Sequence, residues 1–174
     1  MYKIRKNVFE TNSSSTHSLV LSKKDRGWNF DLPVDEDGIL TIKFGEFGWG
    51  PQVLSTPMEK LSYLITDRGP TYENGYFEEL IEESDELQKI VNIIKEQCPY
   101  VKEVWFEPND DDYYRFGYVD HESSGPRFDM SIKELVFSND VIILIDNDNS
   151  YHYRDYFEGW NGKPAKKDIE ELFK

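Results

Sequence analysis

Residues 39–65 read ILTIKFGEFGWGPQVLSTPMEKLSYLI, and they pass from a strand pattern to a helix pattern within one short stretch. Ile39, Leu40, Ile42 and Phe44 supply the apolar surface of a strand over Ile39–Phe44. The glycines of Gly45-Glu46-Phe47-Gly48-Trp49-Gly50-Pro51 then demand a loop. Thr56 can cap backbone N–H groups, Pro57 fits a first helical turn, and Glu59 completes a capping box. Met58, Leu61, Leu64 and Ile65 share a face of the helix so opened, which Gly69-Pro70 stops.

The same reading extends in both directions. Tyr2–Phe9 and Ser18–Ser22 read as two strands around a polar loop, followed by irregular chain over Lys23–Gly38. Beyond the first helix, Tyr76–Gln97 is helical, with Phe77, Leu80, Ile81, Ser84, Leu87, Val91 and Ile94 on one stripe and a possible break at Ser84 and Asp85. Val101–Glu107 and Tyr113–Asp120 read as a hairpin joined by Pro108-Asn109-Asp110-Asp111-Asp112. Ser131 with Glu134 opens a short helix to Phe137, Val141–Ile145 is a buried strand, and Pro164–Phe173 is a terminal helix. Strands and helices do not alternate strictly. The expected fold is therefore a single α+β domain over 1–174, with a mixed or largely antiparallel sheet and helices packed on one side.

At 174 residues, 15% aromatic and 31% charged, the chain has the composition of a globular domain with its own core. It has one cysteine, Cys98, so no internal disulfide forms and a reducing compartment is expected. The segment MYKIRKNVFE lacks the apolar core of a signal peptide, and the apolar run Val141–Ile145 is too short to cross a bilayer. These features point to a cytoplasmic protein without a membrane segment. Formal net charge is −14. Residues 1–26 hold six basic side chains against two acidic ones, a net of +4, which leaves −18 on the remainder. Such a body repels nucleic-acid phosphates and attracts basic protein surfaces.

Three segments could carry chemistry. In Glu10-Thr11-Asn12-Ser13-Ser14-Ser15-Thr16-His17-Ser18, short polar side chains offer many donors to an anion, and His17 could hydrogen-bond a ligand or act as a base. The pattern is not a Walker A loop, because the glycines and the Lys-Ser/Thr ending are missing. In Gly45–Gly50, Glu46 and Trp49 sit among glycines that let a ligand approach the backbone. In Tyr118–Ser124, Asp120 and Glu122 flank His121, with Ser123 beside them. No metal or cofactor is expected. His17, His121 and His152 lack ligand spacing, and the calcium-loop-like run from Asp146 fails at Tyr151 and Phe157.

The segments NVFETNSSSTHS (Asn7–Ser18), GEFGW (Gly45–Trp49) and GYVDHES (Gly117–Ser123) resemble a group of small uncharacterised bacteriophage and mobile-element proteins. The resemblance covers few residues. It implies a phage-type accessory protein in the host cytoplasm, transfers no catalytic residue, and suggests that the three segments form one site.

Acidic rows supply a second kind of candidate. Glu78, Glu79, Glu82, Glu83 and Glu86 line a helix face, and Asp110, Asp111 and Asp112 a loop. Such rows could imitate a phosphate backbone and engage a host protein with a basic surface, including one that handles nucleic acid. The leading expectation is a non-enzymatic modulator of that kind, for instance an inhibitor of a defence nuclease. A phosphate- or nucleotide-ligand protein or small enzyme using Thr11–His17 with Asp120–Ser124 is the alternative, and a virion accessory protein is a third. Oligomeric state is open.

Overall fold

The computed structural model describes residues 3–5, 16–22, 26–49, 52–70, 76–110, 114–119, 130–147, 157–158 and 163–164. Its elements in chain order are β1 (Lys3–Arg5), β2 (Thr16–Ser22), β3 (Ile39–Lys43), β4 (Glu46–Phe47), β5 (Gln52–Leu54), α1 (Pro57–Arg68), α2 (Phe77–Glu83), α3 (Asp85–Gln97), β6 (Glu103–Glu107), β7 (Tyr118–Val119), α4 (Ile132–Phe137), β8 (Val141–Asn147), β9 (Phe157–Glu158) and β10 (Lys163–Pro164). The fold is α+β, with helices and small sheets.

One sheet has the order β1-β2-β8-β5, and every neighbour in it is antiparallel. Its central strand β8 opens with the unbroken apolar run Val141–Ile145, buried at every position. A run without alternation suits a strand covered on both faces. The expected opening pair is present, with Lys3 opposite Ser22 and Arg5 opposite Val20.

The other large feature is a parallel ribbon. β3 pairs with β6 from Ile39↔Glu103 to Lys43↔Glu107, and β4 pairs with β7 at Glu46↔Tyr118 and Phe47↔Val119. Backbone bonds bridge the two pairs. Phe44 N–H donates to the Glu107 carbonyl at 2.9 Å, and Tyr118 N–H donates to the Gly45 carbonyl at 3.1 Å. The chain thus leaves the ladder after Glu107, makes an excursion through the acidic loop, and rejoins at Tyr118. The return depends on Gly117, whose φ is +62° and whose Cβ would stand 2.0 Å from the Gly45 carbonyl oxygen.

This ribbon corrects two expectations. Among the described residues, 103–107 and 118–119 do not pair as a hairpin; both run alongside the 39–47 segment. Parallel pairing needs a long crossover, and here it contains α1, α2 and α3. Glu46–Phe47, expected within a loop, is strand because β7 offers it a partner. The strands also divide among separate small sheets rather than forming one. In the expected terminal helix, Pro164 is instead in a strand pair with Phe157, and 165–173 lie outside the described residues.

Three of the four described helices, α1, α3 and α4, open on a side-chain cap. The Thr56 hydroxyl accepts from Glu59 N–H, and the Glu59 carboxylate accepts from the N–H groups of Ser55 and Thr56, each at 2.9 Å. Ser84 ends α2 and caps α3, where its hydroxyl accepts from Leu87 N–H. In α3, Ile90 joins Leu87 and Ile94 in the core, and Val91 beside them is half-buried. α1 packs against α3, α4, β3 and β7, and its buried set extends beyond the expected face to Lys60 and Tyr63. Side chains from the β2-β8-β5 sheet, the ribbon and all four helices join one core cluster. At its heart Phe44 meets the rings of Phe77, Phe106 and Phe116 within 5.5–6.2 Å.

Candidate functional site

The excursion from the ribbon builds the site. Its base is fixed by Asn109 N–H donating to the Arg115 carbonyl at 2.8 Å, and by Phe116 stacking on Phe77 with centroids 4.8 Å apart. The Arg115 guanidinium lies 5.0 Å over the same Phe77 ring. These contacts hold Asn109, Tyr114 and Tyr118 against Glu46 and Trp49.

Glu46 is the hub. Its carboxylate accepts from Asn109 Nδ2 at 2.8 Å and from the Tyr118 hydroxyl at 3.3 Å. The Trp49 indole N–H donates to the Tyr118 hydroxyl. The Trp49 and Tyr118 rings stand at 88° with centroids 6.0 Å apart, and Tyr114 lies 4.8 Å from Tyr118. Gln52 closes the glycine turn, its amide bonding the Glu46 carbonyl and the Gly48 N–H at 3.4 Å each. Trp49 nevertheless remains 64% exposed and Tyr114 43%. A cluster of exposed large aromatics around an oriented carboxylate departs from the usual solvated surface.

The β4–β7 pairing therefore joins the second and third sequence segments. From the third segment, Gly117–Val119 are described, while Asp120, His121, Ser123 and Ser124 lie outside the described residues. From the first segment, Glu10, Thr11, Asn12, Ser13, Ser14 and Ser15 lie outside them too. Thr16, His17 and Ser18 open β2, where His17 is in register with Asp146 and Ser18 with Ile145. Ile145 also pairs with Gln52 on the opposite side of β8. Ser18 and Gln52 are thus two strand spacings apart, roughly 10 Å. The end of the first segment consequently occupies the same end of the sheet as the glycine turn.

The acidic candidates separate into distinct environments. Glu78, Glu79, Glu82 and Glu83 are exposed on α2. Glu86 is bonded to Lys89, and Asp110 to Lys43 at 2.6 Å. Lys43 is held above its ordinary pKa chiefly by that Asp110 hydrogen bond. Asp111 and Asp112 lie outside the described residues. Among the described residues no group of three or more His, Cys, Asp or Glu side chains is placed to hold a metal ion, and no helix is long and apolar enough to cross a membrane.

Reading by segment missed Asn109, Tyr114, Gln52 and the role of Tyr118. Nothing local marks Asn109 or Tyr114, which reach Glu46 and Tyr118 only once the parallel pairing forms, whereas Gln52 closes the glycine turn from within six residues. Compared with known proteins, the chain matches no family model, no curated protein and no solved structure.

Proposed function

We propose that this chain is a non-enzymatic, phage-type accessory protein that docks on a basic surface of a host protein and modulates it, with inhibition of a nucleic-acid-handling defence enzyme as the leading form. The observation carrying this reading is the adjacency of two features. Phe77, at the start of the α2 that carries the exposed glutamates, stacks on Phe116 of the excursion, and the excursion's Tyr114 and half-buried Tyr118 cluster with the exposed Trp49. Exposed aromatics beside charge are what interface anchors are made of. A net charge of −14 steers such a surface toward cationic partners. The resemblance of residues 7–18, 45–49 and 117–123 to phage and mobile-element proteins supports the biological setting.

The test is capture of partners by the tagged chain from bacterial lysate at low and high salt. A basic nucleic-acid-handling protein, enriched at low salt and lost at high salt, is the expected result. No enrichment at either salt would refute the reading.

One observation favours a second reading, a site for a phosphorylated ligand. Glu46, Trp49 and Gly117–Val119 come together, and the β2-β8-β5 register sets Thr16–Ser18 at the same end of the sheet. On that reading His17→Ala abolishes ligand binding and charge reversal on α2 does not; the docking reading expects the opposite pattern.

A further inference from the structure

We propose that β6 accepts an extended strand of a partner protein along its outer edge, antiparallel and with basic residues at alternate positions. This goes beyond the docking reading, which concerns α2 and the Trp49 cluster, and stands or falls apart from it.

β6 is a terminal strand of its two-stranded ladder. Glu103 N–H donates to the Gly38 carbonyl at 3.5 Å, and the Glu107 carbonyl accepts from Phe44 N–H at 2.9 Å. With the register from Ile39↔Glu103 to Lys43↔Glu107, these bonds turn the main-chain groups of Glu103, Trp105 and Glu107 toward β3. Successive residues of a strand alternate in direction, so the N–H and C=O groups of Val104 and Phe106 face the other edge. Among the described residues nothing bonds them there. The far edge of β3 is closed by contrast. Its Ile39 carbonyl accepts from Asp35 N–H at 3.0 Å and its Lys43 carbonyl from the Ser62 hydroxyl at 2.7 Å.

An unpaired edge is a template for another strand, and its side chains choose which. Glu103 and Glu107 are exposed and flank Trp105, itself 57% exposed. Glu103 accepts from the Trp105 indole N–H at 3.1 Å, a neutral partner. Lys43 lies 3.9 Å from Glu107 but bonds Asp110 at 2.6 Å. A second copy of β6, antiparallel about Trp105, would set Glu103 against Glu107 twice. Like charges directly opposite destabilise a strand pair, and opposite charges stabilise it. Charge therefore disfavours self-pairing and selects a basic strand.

The full chain is titrated with the capped peptide Lys-Val-Thr-Val-Lys. One control is Glu-Val-Thr-Val-Glu. The other is the basic peptide N-methylated at both valines, which keeps its charge but loses the N–H groups that would face β6. In the free chain the Val104 and Phe106 amides should exchange with solvent about tenfold or more faster than those of Trp105 and Glu107. The basic peptide should slow that exchange and move the Trp105 indole resonance, while those of Trp28 and Trp49 stay in place. Neither control should do so. Glu103→Lys with Glu107→Lys should weaken the basic peptide about tenfold and admit the acidic one; thermal melts check that this variant folds. Slow exchange at Val104 and Phe106 in the free chain overturns the proposal, because the edge is then already covered. Equal binding of the N-methylated peptide overturns it too, as attraction by charge alone. So does a Trp105 resonance unmoved at millimolar peptide, which leaves Glu103 and Glu107 as guards against edge pairing.

Discussion

Asp67 sits in the last turn of α1 with its side chain 5% exposed, and its ion pair is a long one, 3.9 Å to Arg68. Burial pushes its carboxyl from the ordinary 3.8 up to about 6, with Arg68 opposing. The folded chain then keeps a proton that the unfolded chain releases between those values, so stability falls as pH rises through that window. Asp67→Asn should stabilise the protein at pH 7 by about 1–3 kcal/mol and flatten that fall; thermal melts from pH 4 to 8 check both, and an unchanged slope counts against the argument. Lys60 behaves with the opposite sign. It is 1% exposed, donates to the Ser138 carbonyl at 3.0 Å, and burial lowers it to about 8. The folded state releases its proton first, so stability climbs from about pH 8 to 10.5. Lys60→Met should remove that climb in the same melts. Gly117 is the third sensitive residue. A Cβ there meets the Gly45 carbonyl at 2.0 Å at a φ of +62°. Gly117→Ala should cost about 1–3 kcal/mol and shift the Trp49 indole resonance, because Tyr118 follows directly.

At the scale of elements, Ser84 joins two helices by serving both. Ser84→Ala removes the bond to Leu87 N–H and should lower stability by about 1 kcal/mol, read as a reduced urea midpoint. The acids around it differ in purpose. Glu78, Glu79, Asp85 and Glu86 occupy first turns, where the helix dipole favours negative charge. Glu82 and Glu83 end α2, where it does not. Both are exposed to solvent, so a change of charge there costs the fold little. Glu82→Lys with Glu83→Lys should therefore hold or raise the melting temperature while reducing partner capture. Element boundaries of this kind are readable from local chemistry. Thr56 with Glu59 and Ser131 with Glu134 cap within a few residues, so the starts of α1 and α4 were visible in the sequence, while Ser84 was visible only as a break and its cap on α3 was not. The hairpin expectation failed at the same scale. The run Pro108–Asp112 has the composition of a turn, but strand partners are chosen by non-local packing, and β3 with β4 offered the better edge.

For the whole molecule, a charge of −14 makes encounter with a cationic partner salt-dependent. Capture from lysate should weaken monotonically as salt rises, and a salt-independent complex would contradict the docking reading. Several properties were fixed by residue type and spacing alone: the α+β class, the caps of α1 and α4, the burial of Val141–Ile145 and the acidity of the surface. Each depends on periodicity or on bonds spanning three or four residues, which the order of residues specifies directly. The tertiary structure decided the rest. It set β8 between β2 and β5, carried 103–107 and 118–119 along one parallel partner, and buried Lys60 and Asp67 in α1. It also brought Asn109, Tyr114 and Tyr118 to Glu46 and Trp49, more than sixty positions away. Those contacts depend on which edges and faces meet once the core around Phe44 has packed. No local pattern encodes that choice.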